Sequence, residues 1–179
     1  MERESIEVTT RAEWRTWLEQ HHATSDGVWL VTWKKATPDK HVSYEEIVLE
    51  ALCFGWVDSQ AKGVDELRTS ITMTPRRTAS RWTQPNRDRV VALEDAGLMT
   101  DAGRAQIEAA KANGAWDELR PVEALQEPDD LATALDADPA ARARWEALSR
   151  SARYQHLLRL HDTKRAETRA KRIAEITAE

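Results

Sequence analysis

Residues 56–74 decide the fold: Trp56-Val57-Asp58-Ser59-Gln60-Ala61-Lys62-Gly63-Val64-Asp65-Glu66-Leu67-Arg68-Thr69-Ser70-Ile71-Thr72-Met73-Thr74. Thr69, Ile71 and Met73 alternate with Ser70, Thr72 and Thr74, the period of a half-buried strand. Residues 63–67 read as a turn and residues 56–62 as the antiparallel partner, which predicts a hairpin. Pro75 cannot donate to a ladder and ends the second strand.

Upstream, Asp26-Gly27 makes a turn into Val28-Trp29-Leu30-Val31-Thr32-Trp33, a β-branched and aromatic run that predicts a third strand. Helices are expected on either side of it. Thr10-Arg11-Ala12-Glu13 reads as a capping box, followed by Trp14, Trp17, Leu18 and His21 on one stripe. Ser43-Tyr44-Glu45-Glu46 reads as a second box before Ile47, Val48, Ala51 and Leu52, with Gly55 as terminator. The first 75 residues thus read α-β-α-β-β.

Downstream, residues 76–82 show no period and predict an ordered loop. Pro85 suits the first turn of a helix, and Thr100 caps another that Asn113-Gly114 closes. Residues 115–128, with Pro121 and Pro128, read as an acidic linker. Beyond it only helices are expected: residues 129–135, one opened by Asp138-Pro139, one capped by Ser149, and a last one capped by Thr163. The fold class is therefore α+β, a small antiparallel sheet flanked by helices and followed by an all-helical C-terminal half. The expected domains are 1–114 and 129–179.

Charge and composition bound the function. The 179 residues carry a net charge of −5, which argues against a nucleic-acid partner. Residues 117–138 hold eight acids against one base, and residues 140–172 hold ten bases against three acids. Mutual packing of these segments is the simplest expectation; a basic face for an anionic partner is the alternative. The charged start, Met1-Glu2-Arg3-Glu4-Ser5, has no apolar core of a secretory signal, so the expected compartment is the cytoplasm. No apolar run approaches the ~20 residues of a membrane span. The lone Cys53 sits in an apolar helical run and reads as a buried small hydrophobe.

Phosphate-cradling glycine loops, nucleophile elbows and metallopeptidase helices are absent from the sequence. His21-His22, His41, His156 and His161 lack ligand spacing, so neither a metal nor another cofactor is expected. Eight Trp against one Phe must build a core or wall a pocket. Asp58, between Trp56 and Gln60 on a strand, is unfavourable by β preference and calls for a partner. Arg76, Arg77 and Arg81 follow the hairpin and supply one. Three readings stay open: a buried Asp–Arg pin, a ligand pocket walled by Trp33, Trp56 and Trp82 with Asp58 and Arg76 as polar handles, or Asp58 as a general base. The candidate ligand-binding set is Trp33, Lys34, Trp56, Asp58, Gln60, Arg76, Arg77, Ser80, Trp82 and Asn86.

Gly27-Val28-Trp29-Leu30 with Lys34-Lys35, then Glu50-Ala51-Leu52-Cys53-Phe54-Gly55-Trp56-Val57-Asp58, then Thr74-Pro75-Arg76-Arg77 with Ser80, Trp82 and Asn86, resemble the YdeI/OmpD-associated, bacteriocin-protection family. The basic tail, residues 164–173, is similar to that family's C-terminal helical segment. The likeness runs from about residue 10 to the end. It implies a bacterial role in stress and in resistance to antimicrobial peptides and bacteriocins, with no established enzymatic activity. The leading expectation is a non-enzymatic binding protein whose pocket takes a small anionic or cell-envelope ligand. The alternatives are an enzyme on a small or peptide-like substrate with Asp58 as base, and a protein–protein adaptor working through Arg165, Arg169 and Arg172.

Overall fold

The predicted hairpin forms one end of a four-stranded sheet of order β1-β2-β4-β3 in a computed structural model that describes residues 3–178. The chain divides into two units, Met1–Asp117 and Glu118–Glu179. The first runs β1 (Ser5–Glu7), α1 (Arg11–His21), β2 (Val28–Trp33), α2 (Tyr44–Cys53), β3 (Trp56–Gly63), β4 (Arg68–Pro75), α3 (Gln84–Asp95) and α4 (Asp101–Ala112). A 3-10 turn at Pro38–Lys40 precedes α2.

The sheet differs from the expected one by strand β1, which pairs parallel to β2 and makes the sheet mixed. Three residues with a single apolar side chain, Ile6, carry no local strand signal; the ladder to β2 alone makes them a strand. Across β2 and β4, Val28 pairs with Met73, Leu30 with Ile71 and Thr32 with Thr69. Alternation sends these six to the helix-covered face and Trp29, Val31 and Trp33 to the other.

Helix starts follow side-chain chemistry. Ser43 and Glu46 form the full reciprocal capping box. At α1 only half of the expected box exists: the Thr10 hydroxyl accepts from Glu13 N–H, but the Glu13 carboxylate accepts from Thr9 N–H at 2.7 Å. Gly55, at φ 72°, closes α2 in a left-handed conformation that favours glycine. Gly103 lets α4 approach α2, since a Cβ there would lie 2.4 Å from the Cys53 carbonyl oxygen.

The core of this unit is built on indoles. Trp14 and Trp56 are 0% and 1% exposed. The ring of Trp17 stacks on Trp14 at 5.4 Å and meets Trp56 edge-on at 5.6 Å. Two buried indole N–H groups have acceptors, Trp14 donating to the Ile47 carbonyl and Trp56 to that of His22, whereas Nε1 of the buried Trp82 has none. Helices α1 and α2 are also tied by a buried carboxylate, Glu50, which accepts from Arg11 at 2.5 Å and from Arg15 at 2.8 Å. Cys53 is buried, and burial pushes its thiol pKa up.

Helices are the regular elements of the second unit among its described residues: α5 (Arg120–Glu123), α6 (Asp129–Asp136), α7 (Pro139–Ala147), α8 (Arg150–His161) and α9 (Ala166–Ala178). Leu131, Leu135, Trp145, Leu157, Leu160 and Ile176 form its core. The stretch read as a linker places Val122 in that core and Ala115 in the core of the first unit. Thr163 does not cap the last helix, which starts at Ala166; its hydroxyl donates instead to the Arg159 carbonyl. The acidic segment and the basic tail pair with each other. Arg169 holds Asp130, and Arg142 bridges Glu127 and Asp136.

Candidate functional site

The loop after β4 is pinned in place, though not by the expected Asp58–arginine pair, since Asp58 accepts from Tyr44 and Arg76 donates to a backbone carbonyl. Arg76 is 5% exposed, and its guanidinium lies 4.0 Å from the centre of the Trp82 ring. Its Nη1 donates to the Arg81 carbonyl at 3.1 Å, while its Nε is buried without an acceptor. Burial pushes its pKa down to about 10, opposed by the negative charge of Asp58. Trp82 is 1% exposed and packs its ring against Trp116. Arg87, which sequence reasoning passed over, closes the pin from α3 by donating to the carbonyls of Trp82 and Trp116. A charged residue in the first turn of a helix gives no signal of such burial.

Asp58 is half-buried, and the structure gives it a partner the sequence did not suggest. The Tyr44 hydroxyl, from the first turn of α2, donates to Asp58 Oδ2 at 2.8 Å. Burial, then this hydrogen bond, raises the Tyr44 pKa to about 12, so the phenol is a donor and not a base. Arg89 stands nearby, paired through both terminal nitrogens and Nε with Glu45 and Asn86. Just past Asp58 the ladder slips, from Asp58↔Met73 to Ala61↔Ile71. One extra residue on β3 makes this a bulge. Ala61 therefore takes the helix-side position expected of Gln60, and Gln60 is exposed.

Ala61 is one wall of a cleft of about 330 Å³ between the open end of the sheet and the start of α2. Val42, Ile47 and Ile71 make its apolar lining; Thr32, Thr69 and Tyr44 add hydroxyls. Lys34, Lys35 and His41 stand at its edge. Lys34 is committed to the hairpin turn, donating to the carbonyls of Asp65 and Glu66. His41 Nδ1 lies 2.6 Å from the Trp33 carbonyl oxygen. Lys35 has no such commitment among the described residues, and its cation is available to a bound anion.

The expected Trp-walled pocket does not form. Trp56 and Trp82 are core residues, too buried to touch a ligand. Trp33 lines the cleft, but strand alternation turns its indole to the other face. There it donates to Glu7 at 2.9 Å, with Lys40 4.6 Å from its ring centre. Of the predicted set, Trp33 and Lys34 border the cleft, and Asp58 reaches it through Tyr44. Arg76, Trp82 and Asn86 belong to the pin and to α3, while Arg77 is exposed and Ser80 donates its N–H to the Arg77 carbonyl. Of the tail arginines, Arg169 and Arg172 are bonded within their own unit and Arg165 is exposed. Among the described residues, no helix is long and apolar enough to cross a membrane.

Residues 6–106 match the family model described as a domain of unknown function, DUF8412. Residues 124–179 match the one described as "Bacteriocin-protection, YdeI or OmpD-Associated". The resemblance read from residue 10 onward is thus found in the C-terminal unit, and the run from Phe54 to Asn86 falls in the other match. No curated protein and no solved structure matches the chain.

Proposed function

We propose, for a chain that belongs to the DUF8412 family through residues 6–106, a binding role in bacteriocin protection. Its ligand is a small amphiphile with an apolar body and one anionic group. The observation that carries this reading is the cleft: Val42, Ile47, Ala61 and Ile71 around a void, with the uncommitted Lys35 at its mouth. Its volume is at the small end of ligand sites. Apolar walls supply affinity and the ammonium selects charge. Binding is favoured over catalysis because the polar pair at the cleft, Tyr44 and Asp58, is spent on holding α2 to β3. The bacteriocin-protection setting rests on the match over residues 124–179.

Titration with 8-anilinonaphthalene-1-sulfonate, an apolar body with one sulfonate, tests the reading. Ala61→Trp fills the cleft from an exposed position and should weaken dye binding at least ~10-fold. Lys35→Glu should weaken it by a smaller factor that shrinks as salt is added. Dye affinity unchanged in Ala61→Trp would remove the cleft as the site.

A further inference from the structure

A second pocket, of about 300 Å³, lies within the C-terminal unit between α8 and α9. His156 and Arg159 face it from α8; Arg172, Glu175 and Ile176 face it from α9. The spacings are i, i+3 on the first helix and i, i+3, i+4 on the second, so each set shares one helical face. Ile176 is buried and forms the apolar floor.

The two arginines differ in what they do. Arg172 is fixed in place: its Nη1 donates to the Arg159 carbonyl and to the Thr163 hydroxyl. Together with Arg169, which donates to the Leu160 carbonyl at 2.9 Å, it satisfies carbonyls at the C-terminal end of α8. The remaining guanidinium edge of Arg172 carries no such bond. Arg159 is exposed, and no hydrogen bond or ion pair holds its guanidinium among the described residues. One carboxylate, Glu175, shares the pocket, so two guanidinium charges face one negative charge. The ring of His156 lies 6.0 Å from that of Trp145, which fixes its place in the wall.

We propose that this pocket binds a small oxyanion of the phosphate class, either free or as a monoester. A planar guanidinium already anchored by neutral acceptors is preorganised for bidentate contact with such a group. Arg159 closes from the other helix. The excess positive charge sets the sign of the ligand, and Glu175 weakens its hold.

The test is an NMR titration of the full chain with inorganic phosphate at constant ionic strength. Saturable shifts of the Arg159 and Arg172 side-chain N–H signals are expected, with no such response to chloride. Arg159→Gln, at an exposed position, should weaken the response about tenfold, and Glu175→Gln should strengthen it severalfold. Co-sedimentation with phosphatidylglycerol vesicles separates the sources: retention that Arg159→Gln abolishes assigns the anion to a lipid headgroup. Phosphate shifts alone assign it to a free anion. Absence of any saturable shift at about 10 mM phosphate, or a response that Arg159→Gln leaves intact, overturns the proposal.

Discussion

Replacing Trp56 by Ala should remove about 3–5 kcal/mol from the stability of the first unit. A buried Trp removes roughly 150–250 Å² from water. At about 25 cal/mol per Å² this area is worth ~4–6 kcal/mol, an upper bound because the unfolded chain is not fully extended. The Ala methyl keeps a little of it, and a cavity beside Trp14 and Trp17 adds to the loss. The carbonyl of His22 also loses its donor, for about 1 kcal/mol, partly restored by water. Trp56→Phe keeps most of the packing and should cost only ~1–2 kcal/mol. The assay is urea unfolding followed by circular dichroism, with hydrogen exchange of the Leu30 and Met73 amides reporting on the first unit. A loss of ~1 kcal/mol or less in Trp56→Ala would mean the ring is exposed, and the Trp-walled pocket would return as the better account.

Removing both Arg11 and Arg15 strands the buried Glu50 and should cost about 3 kcal/mol, whereas Glu50→Leu should cost under ~1, since the arginines reach water. Equal losses by denaturant titration would contradict that asymmetry. Gly103→Ala gains ~1 kcal/mol of helix propensity but drives a methyl into the Cys53 carbonyl. It should lower thermal stability by ~1–3 kcal/mol, and a stabilised variant would show that α4 can retreat. Tyr44 has a folded pKa raised to about 12 against about 10 unfolded, so its contribution is complete below pH ~10 and lost as pH rises toward 12. Tyr44→Phe should flatten the alkaline stability profile over that window, and an unchanged profile would refute the assignment. For Asp130, the hydrogen bond and charge of Arg169 hold the carboxyl below its unfolded value. Its contribution is present above pH ~4 and lost as pH falls through the folded pKa. Arg169→Gln should reduce the acid sensitivity of the C-terminal unit; the same slope in both proteins would exclude the pair as its source.

What could be read from the sequence is what local chemistry determines. The Ser43 box and the Gly55 terminator each depend on neighbours a few residues away, and each is found; residues 68–75 do form the expected strand, but it is not half-buried, since Ser70 and Thr72 are buried along with Ile71 and Met73. The charge blocks announced their own pairing, now seen as Asp130 with Arg169. The rest needed the third dimension. Strand β1 exists only through its ladder to β2. The bulge after Asp58 exchanges Gln60 for Ala61 on the helix-side face, and no residue type in that run demands it. Tyr44 reads as the first residue of a helix, yet the sheet register brings it over Asp58. Arg76, read as a partner for Asp58 or a handle of an open pocket, packs instead on the buried Trp82 ring, because residue types alone do not show which contacts are sealed from water. Lys35 over Lys34 is the same lesson: adjacent lysines look alike until the hairpin turn takes one.

The cleft itself is tested most directly by methyl NMR of the isoleucines, which report on separate surfaces. Ile47 and Ile71 line the cleft, Ile107 lies between α3 and α4, and Ile176 floors the pocket of the second unit. On adding 8-anilinonaphthalene-1-sulfonate, the account predicts saturable shifts at Ile47 and Ile71 while Ile107 and Ile176 stay in place. Shifts at Ile107 or Ile176 with Ile47 and Ile71 unmoved would contradict it.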